Sequence, residues 1–190
     1  MFRKCITMLV CALGAAATAN ADNLITVWDA TGTFNLDQFA RSVEITSDGV
    51  FKIQATGDHD GLGEIWSITV AYYVTGTVEV YILRRPEEGG GPGAYDVRLL
   101  NLSGDATTVI QECRVTHDLA TDGNVDADEL AGPMEVGHAI GHDIEVTGFT
   151  GTIECNSMRN LSVAGSSSPE TTITIHGAYA DTIYVNGPLG

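Results

Sequence analysis

Residues 144–148 read I-E-V-T-G, and the same apolar–x–apolar–x–Gly order returns as L-S-V-A-G at 161–165, I-T-I-H-G at 173–177 and I-Y-V-N-G at 183–187. Successive side chains of a β-strand point to opposite faces, so each unit predicts a short strand with one apolar side. Glycine at the end of the unit permits a backbone bend that a side chain would obstruct. The pattern predicts a series of short strands, each ending at a corner.

The spacing of these units predicts how the strands are arranged. Further copies lie at 53–57, 72–76 and 100–104, with a weaker copy at 153–155. From residue 144 onward, three successive units lead the chain from Ile144 to Ile173, or from Ile153 to Ile183. This interval predicts a three-sided coil of parallel strands with stacked apolar ladders. An antiparallel β-sandwich stays as the alternative, because its short strands recur at a similar spacing.

The stretch 143–190, with its IEVTG, TIEC, NLSVAG, TITIHG and TIYVNG segments, resembles secreted right-handed parallel β-helix proteins. It is most similar to bacterial putative adhesins that repeat short strand–Gly units. The resemblance implies an all-β fold, a single-stranded right-handed parallel β-helix, and a structural, surface or adhesive role. It brings no catalytic residue with it.

The first 21 residues have the form of a secretory signal peptide. Arg3 and Lys4 precede an apolar stretch, and Ala19-Asn20-Ala21 places small residues at the -3 and -1 positions of a cleavage site. We therefore expect a protein that is secreted or held at the cell surface, with residues 22–190 as one β-solenoid domain. We expect no membrane insertion after cleavage. The chain stops at 187–190 (G-P-L-G), directly after a unit, so we also expect the natural protein to continue or to pair there with a partner.

The acidic composition limits the classes of partner. The chain has 25 acidic and 9 basic side chains and a net charge of -16, which becomes -18 once Arg3 and Lys4 are removed. A nucleic-acid partner is not expected, because binding phosphates requires clustered basic residues. The expected partners are an extracellular matrix, a polysaccharide or other copies of this chain.

Residues 118–129 (D-L-A-T-D-G-N-V-D-A-D-E) match most positions of an EF-hand calcium loop. They lie in an acidic stretch, 113–131, that we expect to be a loop insertion. Ala120 departs from the pattern, since the third loop position normally supplies an oxygen ligand. Calcium is the one cofactor that the sequence suggests, and a solvated acidic loop is the alternative. The expected ligands are Asp118, Asp122, Asn124, Asp126 and Glu129.

Other chemistry is weakly indicated. His138 and His142 are four positions apart, but the neighbouring glycines favour two loop histidines over a metal pair. We find no Ser-His-Asp, phosphate-loop or zinc signature, so the sequence leans against an enzyme without deciding the question. A carbohydrate-active β-helix that binds or cleaves a polysaccharide is the alternative function. Cys113 and Cys155 form either a disulfide or two buried thiols.

Overall fold

The computed structural model describes residues 24–35, 40–57, 63–83, 93–165, 171–177 and 182–185, and every regular element in them is a β-strand. The expected signal peptide (1–21) and the last residues (186–190) lie outside this part. The strands are β1 (Leu24–Asp29), β2 (Gly32–Asn35), β3 (Ser42–Ile45), β4 (Gly49–Thr56), β5 (Ile65–Val70), β6 (Thr77–Ile82), β7 (Val97–Asn101), β8 (Thr107–Val115), β9 (Val125–Leu130), β10 (Pro133–Ile140), β11 (Ile144–Phe149), β12 (Thr152–Met158), β13 (Asn160–Val163), β14 (Thr172–Ile175) and β15 (Thr182–Val185).

The strands pair with every second strand along the chain rather than with their neighbours. The even ladder runs β4-β6-β8-β10-β12-β14 and the odd ladder runs β3-β5-β7-β9-β11-β13-β15, and all of these pairings are parallel. The two ladders meet where β8 pairs with β9, also in parallel. Antiparallel pairing is confined, among the described strands, to β1 with β2 and with β4. The prediction of an all-β fold with a mostly parallel sheet is confirmed, and the antiparallel sandwich is wrong.

The length of one turn differs from the prediction. Ile144 lies beside Leu161 in the odd ladder, and Ile153 lies beside Ile173 in the even ladder. The predicted return from Ile144 to Ile173 is wrong, because these two residues belong to different ladders. One turn of the chain contains two sequence units rather than three, because each turn adds one strand to the even ladder and one strand to the odd ladder.

The core consists of apolar columns that run along each ladder. Ile110, Leu130 and Phe149 occupy successive rungs where β8, β9 and β11 pair, and all three are at most 2% exposed. A second column in the odd ladder is fully buried and consists of Leu100, Val125, Ile144 and Leu161. Burying a side chain of this size contributes about 1.5–3 kcal/mol. The apolar alternation within each unit is therefore the pattern that fills the core.

Two of the glycines that end repeat units, Gly165 and Gly177, serve packing rather than an unusual backbone angle. Among the described residues, only Gly32 and Gly49 are glycines with positive φ, and neither ends a repeat unit. A Cβ on Gly165 or Gly177 would instead overlap a backbone carbonyl oxygen of the preceding turn. Glycine is required at these two corners because consecutive turns lie in direct backbone contact.

Residues 113–131, which we expected as a loop insertion, take part in the ladders. The segment includes the end of β8 and the whole of β9. Its Leu119, Val125 and Leu130 are fully buried in the core. The acidic residues misled the prediction because they alternate with these apolar residues instead of forming a separate solvated loop.

Cys113 and Cys155 are both buried free thiols. Cys113 lies beside Met134, whereas Cys155 lies beside Val136, so strand β10 separates the two cysteines. Two rungs correspond to about 9–10 Å, beyond the Cα separation that a disulfide allows. Of the two alternatives from the sequence, the structure shows the buried thiols.

No helix in the described ranges has the length and the apolar character needed to cross a membrane.

Candidate functional site

The outward face of the odd ladder carries one continuous column of side chains. Each of the seven odd-numbered strands from β3 to β15 contributes one residue at the same register position. Because neighbouring strands are about 4.8 Å apart, the column is roughly 29 Å long. Its members, in order along the ladder, are Glu44, Thr69, Asn101, Asp126, Glu145, Ser162 and Tyr184.

A groove of about 320 Å³ lies over the middle of this column. Its polar lining includes Ser103, Thr108, Asp126, Asp128, Glu145 and Ser162. Gly104, Ala127, Val146 and Ala164 form the apolar part of the lining, so the groove combines an acidic, hydroxyl-bearing part with an apolar part. Such a surface offers both hydrogen-bond donors and acceptors to a hydroxyl-rich ligand.

The acidic side chains of the groove differ in how they are held. Asp128 accepts hydrogen bonds from the Thr108 backbone N–H at 2.7 Å and from its Oγ1 at 3.2 Å. Glu145 accepts a hydrogen bond from Asn124 Nδ2 at 2.9 Å. Burial raises the pKa of Asp126, which occupies the rung beside Glu145. The groove thus places a carboxyl whose burial favours the neutral form next to a second carboxylate.

The residues expected to bind calcium contact different parts of the molecule. Asn124 bonds Glu145, Asp126 lies in the groove, and Glu129 accepts a hydrogen bond from Thr150 Oγ1 at 2.9 Å. Asp122 faces Arg98, with 3.9 Å between its Oδ2 and the guanidinium. Asp118 points to a different corner of the molecule, described next. Since β9 begins at Val125, the second half of the expected loop is a strand. Calcium binding by these residues stays a prediction.

A second cluster lies at the corner between the ladders. The rings of Tyr95, His117 and His138 stack on consecutive turns, with centroids 4.9 Å apart and nearly parallel planes. Asp96 Oδ1 lies 3.0 Å from His117 Nδ1, and Asp118 Oδ1 lies 2.7 Å from His138 Nδ1. The same two oxygens also accept hydrogen bonds from the backbone of the following turn: Asp96 Oδ1 from the Asp118 N–H and Asp118 Oδ1 from the Ala139 N–H, each at 3.0 Å. An aromatic residue followed by aspartate thus repeats from one turn to the next.

Sequence reasoning considered His138 but missed the residues that accompany it. The structure places His138 in strand β10 rather than in the expected loop and brings it close to Asp118 and His117, whereas His142, which the sequence disfavoured as a metal partner, is outside this group. A signal was present, since Tyr95-Asp96 recurs one turn later as His117-Asp118, and His138 follows at nearly the same interval. The interval between these aromatic residues equals one turn of two sequence units, so a predicted turn of three units does not bring them together.

Comparisons with protein-family models, curated proteins and solved structures gave no match to this chain.

Proposed function

We propose that this chain is an exported, acidic β-solenoid of the right-handed parallel β-helix type, with an adhesive or structural role at the cell surface. The observation that carries the proposal is the seven-residue column of the odd ladder. A face about 29 Å long, with one side chain per rung, suits a long and repetitive partner better than a small molecule. A matrix polysaccharide is such a partner.

The chemistry of the face favours a neutral polysaccharide. A protein with a net charge of -16 repels polyanions, so uronic-acid polymers are disfavoured. Tyr184, which is 57% exposed, lies at the end of the column and provides an aromatic surface for the apolar face of a sugar ring. The groove over the middle of the column supplies carboxylates and hydroxyls for the sugar hydroxyl groups.

A binding assay on a panel of immobilised neutral and acidic polysaccharides tests this proposal. We expect retention on at least one neutral polymer, and a loss of at least fivefold in affinity for Tyr184→Ala. Tyr72→Ala is the matched control, because Tyr72 is 82% exposed and lies in the turn after β5, outside the column and about five rungs from Tyr184. Binding to no polymer, or equal losses for the two variants, would contradict the proposal.

The alternative function, cleavage of a polysaccharide, is favoured by the pair Asp126 and Glu145. Glycoside hydrolysis needs one protonated carboxyl as general acid and one carboxylate as base or nucleophile. Asp126, with its raised pKa, would be the acid, and Glu145 on the adjacent rung would be the second group. Release of reducing ends from a bound polymer, abolished by either Asp126→Asn or Glu145→Gln, would support cleavage. Binding without product release would favour the adhesive role over cleavage.

A further inference from the structure

We infer that His117, Asp118 and His138 form a binding site for a divalent transition metal, with zinc as the expected ion. These three residues each offer one ligand atom, and the atoms lie within 4.8 Å of one another. In the described part of the chain this is the one group of three or more His, Cys, Asp or Glu side chains with that property. The site is separate from the groove of the odd ladder and does not depend on the proposed function.

The distances within the cluster match a metal coordination sphere. Asp118 lies between the rings, with Oδ1 at 2.7 Å from His138 Nδ1 and Oδ2 at 3.3 Å from His117 Nδ1. Two ligand atoms bound to zinc at about 2.0–2.1 Å are about 2.9 Å apart at a right angle and about 3.3 Å apart at the tetrahedral angle. The two N···O separations therefore need little change when an ion replaces the hydrogens between these atoms.

Both rings must tilt to bind one ion together, because zinc lies in the plane of each imidazole that it binds and the two planes are nearly parallel, with centroids 4.9 Å apart. His117 and His138 are 40% and 56% exposed, so both rings have room to tilt toward each other. The Asp118 carboxylate is held by the Ala139 backbone N–H at 3.0 Å, which fixes the central ligand. Three protein ligands on an exposed corner leave a fourth position for water, as zinc sites with an open position have.

The donor set selects the class of metal. Two imidazoles and one carboxylate suit zinc and its transition-metal neighbours, whereas calcium and magnesium prefer oxygen ligands alone. Asp96 lies 3.0 Å from His117 Nδ1 and adds a second negative charge beside the ion.

Zinc titration of the chain, purified without a polyhistidine tag, tests the inference by calorimetry. We expect one saturable zinc ion per chain and a visible Co²⁺ spectrum typical of a nitrogen and oxygen ligand set. His117→Gln and His138→Gln should each weaken zinc binding at least tenfold. Both variants are expected to keep the circular dichroism spectrum of the native fold, because the two rings lie on the surface.

His176→Gln is the matched control, because His176 is 57% exposed and lies 2.9 Å from one carboxylate, Glu154, outside the cluster. It should bind zinc like the unaltered chain. His142→Gln should also leave binding unchanged. Absence of saturable zinc binding would overturn the inference. So would loss of binding in His142→Gln with retention in His117→Gln, which would assign the metal to His138 and His142.

Discussion

Replacing Gly151 by alanine tests whether the turns are stacked in direct backbone contact. A Cβ at this position would overlap the Gly132 carbonyl oxygen and would lie 2.8 Å from the Gly132 carbonyl carbon and 3.0 Å from that of Ala131. All three atoms belong to the backbone of the preceding turn, which β10 and β12 hold in register. Ordinary contact begins near 3.4 Å. The overlap with the carbonyl oxygen is the largest, so the two turns would have to separate by more than about 1 Å.

The expected cost follows from two opposing effects. Forcing extra volume into a packed site costs about 1–3 kcal/mol and occasionally more. Alanine also restricts the unfolded chain, which returns about 0.4–1 kcal/mol. We expect Gly151→Ala to lower the free energy of unfolding by about 2 kcal/mol, which corresponds to a fall of roughly 4–8 °C in Tm for a domain of this size.

Urea unfolding followed by circular dichroism measures this change. Gly104→Ala is the control, because no atom lies within 4 Å of its added Cβ and its φ is not positive. We expect the control to be neutral or more stable by up to about 1 kcal/mol. If Gly151→Ala were as stable as Gly104→Ala, the turns would not be in the contact described, and the explanation of the corner glycines would be wrong.

Three further predictions concern the core thiols, the groove and an apolar column. Burial raises the pKa of Cys113 to about 12 and that of Cys155 to about 11, so at pH 8 neither thiol should react with Ellman's reagent until the chain is unfolded; rapid reaction in native buffer would contradict this. Asp126→Asn should raise the free energy of unfolding at pH 7, because it removes a carboxylate whose charged form burial disfavours and which lies on the rung beside Glu145. Because the pKa of Asp126 is raised in the native state, the stability contributed by its protonated carboxyl is complete below the unfolded pKa and is lost as the pH rises through the native pKa. The stability gained by Asp126→Asn should therefore disappear at pH 3. An equal gain at pH 3 and pH 7 would contradict the raised pKa of Asp126. Leu130→Ala, in the column between Ile110 and Phe149, should cost about 2–5 kcal/mol in chemical denaturation, and a cost below about 1 kcal/mol would show that the column is not tightly packed.

The sequence predicted the strands better than it predicted their connection. The alternation in 144–148 and 161–165 identified β11 and most of β13, because a period of two is a local property of the chain. The number of units per turn is not local, since it depends on which strands pair between one turn and the next, such as β11 with β13 and β13 with β15. Unit spacing alone agrees with two or three units per turn, and only the strand pairing distinguishes them.

The candidate sites were harder to predict for the same reason. Asp126 was expected as a calcium ligand from its place in the EF-hand pattern, but its neighbour in the structure is Glu145, one turn away. His117 is followed directly by Asp118, but the third member of the group, His138, lies one turn further along the chain. Both groupings follow from the turn length, so an incorrect turn length hides them even when every strand is identified.

The acidic residues contribute to the alignment of the turns as well as to charge. Carboxylates accept hydrogen bonds from side chains one turn away: Asp128 from Thr108, Glu145 from Asn124 and Glu129 from Thr150. On the buried side of the ladders, the apolar columns repeat at a similar interval. Because side chains alternate between faces, a shift of one residue between turns would move apolar residues to the surface and separate these donors from their carboxylates. The register is therefore specified on both sides of each ladder, and the acidic surface favours the same alignment as the core.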